Sequence, residues 1–307
     1  MTQACYADTA RFLTAPVVFN REIARRTFRI RLECPEIART ALPGQFAMLR
    51  IPGRSDPLLA RPLAVYDTFA AATDRVPQAA PAERRFVDFI YLVHGKFTTA
   101  MTGIAAGERM IVWGPLGNGF AAIPPVDHLV LVAGGIGQTA LLALGRERLG
   151  RGGYGVPERV VPRARRVSLC WGARSADMFG DTDDFREAGI DVRLATLDGS
   201  AGQRGNVIDL LAALLPAAAA DGGQASSTHV ACCGPEPMMA AVARWTAERH
   251  LRCDVSLEAP MACGIGICFT CVAPVRDDSF GSGDAWDYRR TCIEGPVFDA
   301  ARIVWDA

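Results

Sequence analysis

The stretch HLVLVAGGIGQT, residues 128–139, decides the fold of the central part of the chain. A nearly continuous apolar run ends in glycines, which is typical of a strand buried on both faces of a parallel sheet. A helix is predicted over residues 138–149, and backbone N–H groups at a strand–helix junction can bind the phosphates of a dinucleotide. The run is not the G-x-G-x-x-G fingerprint, so the signal is modest. The nucleotide-binding residues predicted here are Gly134, Gly135 and Gly137.

Strands and helices alternate on both sides of this stretch. Strands are predicted at 167–173, 190–198 and 228–234, and helices at 205–215 and 235–250. Such alternation predicts a parallel, doubly wound sheet.

The segment CCGPEPMM, residues 232–239, closes a later strand of this sheet. It lies at the carboxyl edge, where open α/β sheets bind ligands. Gly234 and Pro235 are therefore predicted to bind cofactor. Cys233 is a candidate for contact with a nicotinamide ring, and its alternative role is that of a small residue in a tight turn.

The first third of the chain has the pattern of antiparallel strands. In TFRIRL, residues 27–32, apolar side chains alternate with Arg29 and Arg31, which predicts a half-buried strand. Residues 44–51 and 85–93 are further predicted strands. The character of the sequence changes near Pro124.

Two segments of this part carry candidate anion-binding groups. In RPLAVYD (61–67), an arginine at a strand start could contact a phosphate while the strand backbone lies along a flat ring. A surface arginine before a proline-led strand is the plainer interpretation. YLVHGKFTTAM (91–101) ends a strand and opens a short helix that Thr98 and Thr99 could cap. A helix N-terminus beside Arg61 would form a pyrophosphate site.

The stretch MACGIGICFTC, residues 261–271, contains three cysteines with x4 and x2 spacing, and Cys292 follows after twenty residues. This is the spacing of plant-type [2Fe–2S] ligands. Gly264 and Gly266 permit the backbone to turn N–H groups toward sulfur. A zinc site is the alternative, although zinc usually takes two short cysteine pairs. The predicted metal ligands are Cys263, Cys268, Cys271 and Cys292.

The composition of the chain argues against a nucleic-acid-binding or membrane-spanning protein. The chain has 307 residues, with 33 basic and 33 acidic side chains, so no overall field attracts nucleic acid or an anionic membrane. Its longest apolar run, residues 210–220, is too short to span a bilayer. Ten cysteines without a signal-peptide pattern favour metal or redox chemistry in a cytoplasmic protein.

Taken in order, the motifs resemble the ferredoxin–NADP reductase superfamily and, within it, the electron-transfer subunits of class 1B dihydroorotate dehydrogenase. The motifs that carry the resemblance are PGQF (43–46), RPLA (61–64), GPLGNGF (114–120), AGGIG (133–137), CGPEPMM (233–239), the cysteine triplet and CIEGPVF (292–298). The resemblance implies an FAD-binding β-barrel domain (1–124), an NAD(P)-binding α/β domain (125–252) and a C-terminal [2Fe–2S] domain (253–307).

The resemblance also implies residue roles and cofactors. The cofactors are FAD, a [2Fe–2S] cluster and NAD, with NADP left open. Two positions depart from the family pattern: Ala64 replaces a hydroxyl residue, and Phe97 replaces a glycine. The residues expected to bind FAD, including the possible helix cap Thr99, are Arg61, Pro62, Leu63, Ala64, Tyr91, Leu92, Val93, Thr98 and Thr99.

The function implied is electron transfer in pyrimidine biosynthesis, from a partner flavin through the cluster and FAD to NAD+. A (β/α)8 barrel needs about 250 residues, so we expect a separate FMN-containing catalytic subunit, docked near the cluster in a heterotetramer. One alternative is a flavin and iron–sulfur subunit of another complex, of the ferredoxin:NADP or sulfide dehydrogenase type. Another is a non-catalytic, zinc-stabilised binding module.

Overall fold

Six antiparallel strands form a closed barrel in the first third of the chain. The computed structural model describes residues 9–76, 80–216, 227–277 and 285–306. The barrel elements are β1 (Arg11–Ala24), β2 (Thr27–Glu33), α1 (Pro35–Thr40), β3 (Phe46–Arg50), β4 (Arg61–Phe69), β5 (Phe86–Leu92), α2 (Gly95–Met101) and β6 (Arg109–Leu116). The strand order is β1, β2, β5, β4, β3, β6, and β6 pairs with β1 to close the barrel.

A seven-stranded sheet follows the barrel. Its elements are β7 (His128–Gly134), α3 (Leu142–Arg148), β8 (Arg166–Ala173), α4 (Thr182–Glu187), β9 (Asp191–Thr196), β10 (Gln203–Arg204), α5 (Val207–Leu214), β11 (Thr228–Cys233), α6 (Glu236–Ala247), β12 (Arg252–Ser256) and β15 (Val297–Asp299). The order is β10, β9, β8, β7, β11, β12, β15, and only β15 runs antiparallel to its neighbour. The predicted combination of a barrel and a doubly wound sheet is confirmed. Strand β12 crosses the predicted domain boundary between residues 252 and 253.

Strand β7 is buried on both faces, as its apolar run predicts. Leu129 and Leu131 belong to one hydrophobic core, and Val130 and Val132 belong to the core on the opposite face. The predicted helix at 138–149 is shorter in the structure, because residues 135–140 form a 3-10 turn before α3 begins.

The third part of the fold is a two-stranded antiparallel hairpin, formed by β13 (Val272–Arg276) and β14 (Trp286–Arg290). The cysteine-rich loop precedes β13, and Cys292 follows β14. In the described part of the chain, no helix is long and apolar enough to cross a membrane.

Strand β2 contradicts the expectation of a half-buried strand. Its apolar residues Ile30 and Leu32 point into the barrel core as predicted. Arg29 and Arg31, however, are each only 2% exposed. The second face of β2 is covered by protein rather than by water: Arg29 contacts Asp184 of α4, and Arg31 donates to Ala72 O at 2.7 Å.

A cluster of buried charges joins the barrel to the α/β sheet. Arg29 donates from Nε to Asp88 at 2.6 Å, and from Nη1 to Asp181 at 2.7 Å and Asp184 at 2.6 Å. Arg31 donates from Nε to the other oxygen of Asp88 at 2.6 Å. Asp88 lies on β5, whereas Asp181 and Asp184 lie at α4, so these five residues form a barrel–sheet ion cluster. Buried charges of this kind are tolerated only when they are paired.

Candidate functional site

The hairpin explains how Cys292 reaches the other cysteines. Val272 pairs with Arg290 at its base. Beyond that pair, the backbone N–H and the hydroxyl of Thr291 both donate to Cys271 O, at 2.7 and 3.0 Å. Cys292 therefore lies beside Cys271 although twenty residues separate them in the sequence.

By burial, the four cysteines form two pairs. Cys263 and Cys268 lie toward solvent, and Cys271 and Cys292 are buried. The bonds from Thr291 to Cys271 O hold the two buried cysteines side by side. Two pairs are the donor set that two irons need, with two thiolates on each.

The two pairs differ in their local chemistry. Hydrogen bonds from the hydroxyl and backbone N–H of Thr270 lower the pKa of the Cys268 thiol to about 6, and the hydroxyl lies 3.1 Å from its sulfur. Burial raises the pKa of the Cys292 thiol to about 12. The nine cysteines in the described residues form no disulfide.

The cysteine loop packs directly on the barrel. Gly264 has φ +73°, and a Cβ there would lie 2.6 Å from Met48 Cγ of β3. Trp113 of β6 donates from Nε1 to Cys263 O at 3.1 Å. Cys271 and Cys292 share one buried cluster with barrel side chains; its other members are Phe46, Met48, Ala60, Leu116 and Met261. The buried cysteine pair is thus in apolar contact with β3 and with the residue that precedes β4.

The predicted flavin segment, residues 61–64, forms the first part of β4. It pairs with β3, and the register places Ala64 opposite Phe46. Pairing of β4 with β5 begins only at Val65 and Phe89, so one edge of the segment has no partner strand among the described residues. Arg61 is exposed, and Pro62, Leu63 and Ala64 are half-buried. A flat ring could therefore lie against this free edge.

In the second predicted flavin segment, Tyr91 to Val93, both side chains and backbone groups make contacts within the barrel. The ring of Tyr91 is buried in the barrel core, and its hydroxyl donates to Asn20 Oδ1 at 3.0 Å. Val93 is held by Arg26, which accepts its N–H at 2.7 Å and donates to its carbonyl at 2.9 Å. Leu92 is half-buried at the end of β5.

Neither Thr98 nor Thr99 occupies the capping position of helix α2, but the Thr98 hydroxyl accepts the N–H of the residue that does, His94, at 2.6 Å. The helix begins at Gly95, where φ is +80°, and His94 occupies the capping position. The two threonines therefore lie one turn further on, and their hydroxyls donate to the carbonyls of His94 and Gly95 at 2.9 Å. The start of α2 is joined to the loop before β4 by the Lys96–Asp56 ion pair at 3.0 Å.

The glycines at the carboxyl edge of the sheet bring two turns into direct contact. A Cβ at Gly137 would lie 2.0 Å from Cys233 O, and one at Gly134 would lie 2.8 Å from Pro235 Cδ. A Cβ at Gly234 would lie 2.9 Å from the backbone of Gly134. Only Gly135, with φ +54°, would point a side chain into open space. Packing therefore accounts for three of the four predicted glycines, and Gly135 alone borders free volume.

Cys233 lies at the same edge, at the end of β11. Burial raises the pKa of its thiol well above the usual value, so the group is neutral. It shares a hydrophobic cluster against which Ala64 of the barrel and Ile136 of the glycine turn are packed. Ala64 and Cys233 therefore belong to the same hydrophobic core between the barrel and the sheet.

Three residues near the cysteine loop have no role in the sequence-based prediction. Trp113 contacts the loop, and Gln45 and Asn118 make hydrogen bonds to neighbouring turns. Gln45 and Asn118 lie within PGQF and GPLGNGF, so the motifs point to them. Hydrophobic periodicity and residue spacing do not point to Gln45 or Asn118, because both side chains bond to backbone groups that are far away in the sequence.

The chain was compared with known proteins. Residues 258–304 match the model of the iron–sulfur cluster binding domain of dihydroorotate dehydrogenase B. The chain is 31% identical over 284 residues to the dihydroorotate dehydrogenase B (NAD(+)) electron transfer subunit of Desulforamulus reducens, covering 92% of this chain and 95% of that protein. It is 33% identical over 290 residues to the protein of the same name from Geobacillus thermodenitrificans, with 94% and 96% covered.

A solved structure with a similar fold is that of an NADH-dependent reduced ferredoxin-NADP oxidoreductase. The TM-score is 0.72 at 24% identity, and the match covers 95% of this chain and 90% of that one. This likeness concerns the fold alone.

Proposed function

The chain belongs to the family of dihydroorotate dehydrogenase B electron transfer subunits, and from this premise we propose how it carries electrons. It is an oxidoreductase subunit that uses FAD, a [2Fe–2S] cluster and a nicotinamide nucleotide. It transfers electrons between a catalytic dihydroorotate dehydrogenase subunit and NAD+. FAD supplies the link, because a flavin can exchange a hydride with nicotinamide and single electrons with a cluster.

One observation carries the proposal for the metal centre: two of the four cysteines face solvent, and the two buried ones pack on the barrel beside the predicted flavin segment. We propose that Cys263 and Cys268 bind one iron and that Cys271 and Cys292 bind the other. Hydrogen bonds to the sulfurs and burial are the means by which a protein adjusts the potential of such a cluster.

The flavin site proposed here is the free edge of β4 with the facing end of β5. Residues 61–64 would lie along the ring, and Arg61 with the first turn of α2 would face the pyrophosphate. Residues 91–93 would contribute backbone groups, while Thr98 and Thr99 would hold the helix start in shape through their bonds to His94 and Gly95.

The nicotinamide site proposed here is the interface between Ala64 and Cys233. Cys233 would contact the ring through a neutral thiol, which fits its burial. Gly135 would let the phosphates of the nucleotide approach the protein backbone. The turn at Gly234 and Pro235 would border the same space. The close packing of the two turns would keep this edge rigid.

The function is tested by purifying the full chain from cells supplied with iron and sulfide, without oxygen. We expect flavin and iron–sulfur bands in the visible spectrum, iron and sulfide in equal amounts, and bleaching of both sets of bands by NADH. Zinc without iron, or a colourless protein, would contradict the proposal. Orotate formation by the chain alone with NAD+ would contradict the need for a catalytic partner.

The catalytic partner is proposed to carry FMN and to dock over the cysteine loop, in a complex with two copies of each subunit. Ile265, Ile267 and Phe269 expose apolar side chains around Cys268, and Ile267 is 73% exposed. The guanidinium of Arg290 lies 5.0 Å from the centre of the Phe269 ring. Exposed apolar groups of this kind favour protein–protein contact, and a partner there would lie beside the solvent-facing cysteine pair.

Replacing Ile267 with aspartate is expected to weaken binding of the catalytic subunit about 10- to 100-fold, because a charge would be buried in an apolar contact. Binding is measured by titration of one subunit with the other. Val160→Asp is the matched control, since Val160 is 95% exposed and lies between α3 and β8, outside the cysteine loop. Equal affinities of the Ile267→Asp chain and the unaltered chain would place the docking face elsewhere.

A further inference from the structure

Gln45 joins the predicted flavin strand to the turn that follows β6. Its buried side chain donates from Nε2 to Gly117 O at 2.7 Å and accepts from Leu42 N–H at 2.9 Å. Its own carbonyl accepts from Val65 N–H of β4 at 2.9 Å. Gln45 therefore bonds both to the turn at Gly117 and to β4, beside the strand pairing of β3 with β4 and β6.

Asn118 joins the same turn to the segment that follows Cys292. Its Nδ2 donates to Val297 O at 2.8 Å and to Glu294 O at 3.3 Å. Its Oδ1 accepts from Val297 N–H at 3.1 Å. Its backbone N–H donates to Gly295 O at 2.7 Å. One asparagine thus satisfies backbone groups of three residues.

The two backbones are also in direct contact at this point. Gly117 has φ +78°, and a Cβ there would lie 2.5 Å from Pro296 Cδ and 3.0 Å from Gly295 O. A side chain at position 117 would push the two segments apart. The spacing is therefore set by backbone contact and by the two amide side chains.

We propose that Gln45 and Asn118 are positioning residues that hold the Cys292 segment at a fixed distance from the flavin strand β4. The inference rests on the proposed function, because it requires FAD at β4 and a cluster at Cys292. Electron transfer between two cofactors slows steeply with distance, so a rigid link of this kind would keep the transfer rate uniform. The link runs from Val65 through Gln45, Gly117 and Asn118 to Val297.

The test compares Asn118→Ala and Asn118→Asp in the full chain loaded with FAD and cluster. Alanine removes all three side-chain bonds, so we expect iron release to a chelator and amide exchange at Val297 to become about tenfold faster. Aspartate has the same shape and keeps the acceptor for Val297 N–H. It lacks the donors and places charge against two carbonyls, so we expect iron release as fast as with alanine.

A distance measurement separates positioning from general stability. Pulsed EPR between the cluster and the flavin is expected to give one narrow distance distribution in the unaltered chain and a broad one in Asn118→Ala. Asn206→Ala is the matched control, because Asn206 also accepts a backbone N–H, from Ile208 at 2.8 Å, but caps α5. It should alter neither iron release nor the distance distribution.

The outcomes distinguish this inference from the function on which it rests. If Asn118→Ala keeps the original release rate and narrow distribution, the positioning role is wrong and the electron-transfer function stands. An Asn118→Asp chain that behaves like the unaltered protein would overturn the role of the amide donors. Absence of flavin or iron from the unaltered chain would overturn both proposals.

Discussion

Replacing Asp88 with asparagine is expected to lower the free energy of unfolding by about 3–5 kcal/mol. Asp88 is fully buried and accepts from Arg29 Nε at 2.6 Å and from Arg31 Nε and Nη2 at 2.6 and 2.9 Å. Asparagine has one acceptor oxygen, and its NH2 group would face a guanidinium. The two buried arginines would then keep two of the three carboxylates of the cluster, and the lost one is the carboxylate that Arg31 contacts. Denaturant unfolding at neutral pH measures the change.

The matched control for this prediction is Asp177→Asn. Asp177 also pairs with an arginine across the barrel–sheet boundary, since Arg25 Nη1 lies 3.2 Å from its Oδ2. Both side chains are about half exposed, so this substitution should change the free energy of unfolding by less than about 1 kcal/mol. If Asp88→Asn were equally mild, the buried charges of Arg29 and Arg31 would not depend on Asp88.

Replacing Cys292 with alanine is expected to abolish retention of the iron–sulfur cluster while FAD stays bound. Cys292 is fully buried beside Cys271, so in the proposed assignment its loss would leave one iron with a single thiolate. The proposed FAD contacts lie on β4, β5 and α2, outside the cysteine loop. Iron analysis and the visible spectrum of the purified variant measure the two effects separately.

Cys253→Ala is the matched control for the cluster prediction. Cys253 is buried like Cys292, but it lies on β12 within the sheet. Its removal should leave the iron content unchanged. A Cys292→Ala chain with its full iron content would show that this residue is not a ligand, and equal iron loss in both variants would point to unfolding instead.

The α/β sheet could be predicted from the sequence because it depends on a local signal. The apolar run at 128–133 predicts a strand buried on both faces, and the x4 and x2 spacing predicts iron–sulfur ligands. The burial of Arg29 could not be predicted, because its partners Asp181 and Asp184 lie 152 and 155 residues away. A period-two pattern assumes water on the polar face, whereas here that face meets another part of the protein.

The start of α2 shows a second limit of sequence patterns. Threonine is a favoured N-cap residue, so Thr98 and Thr99 are natural choices for that role. The backbone instead turns at Gly95, one helical turn earlier, and the threonines bond to carbonyls of the preceding turn. Whether α2 begins at Gly95 or after a threonine cap depends on the φ of +80° at Gly95. Glycine permits this value but does not require it.

The course of the chain after Cys292 limits how the iron-binding unit can be transplanted. Residues 297–299 form β15 along the outer side of β12, and Asn118 of the barrel bonds to the segment just before it. If the chain were cut between the sheet and the cysteine loop, the transplanted piece would include β15. Strand β12 would then have an unpaired, aggregation-prone edge. If the iron-binding unit of this protein were replaced by another, residues 294–299 would have to stay with the barrel and the sheet.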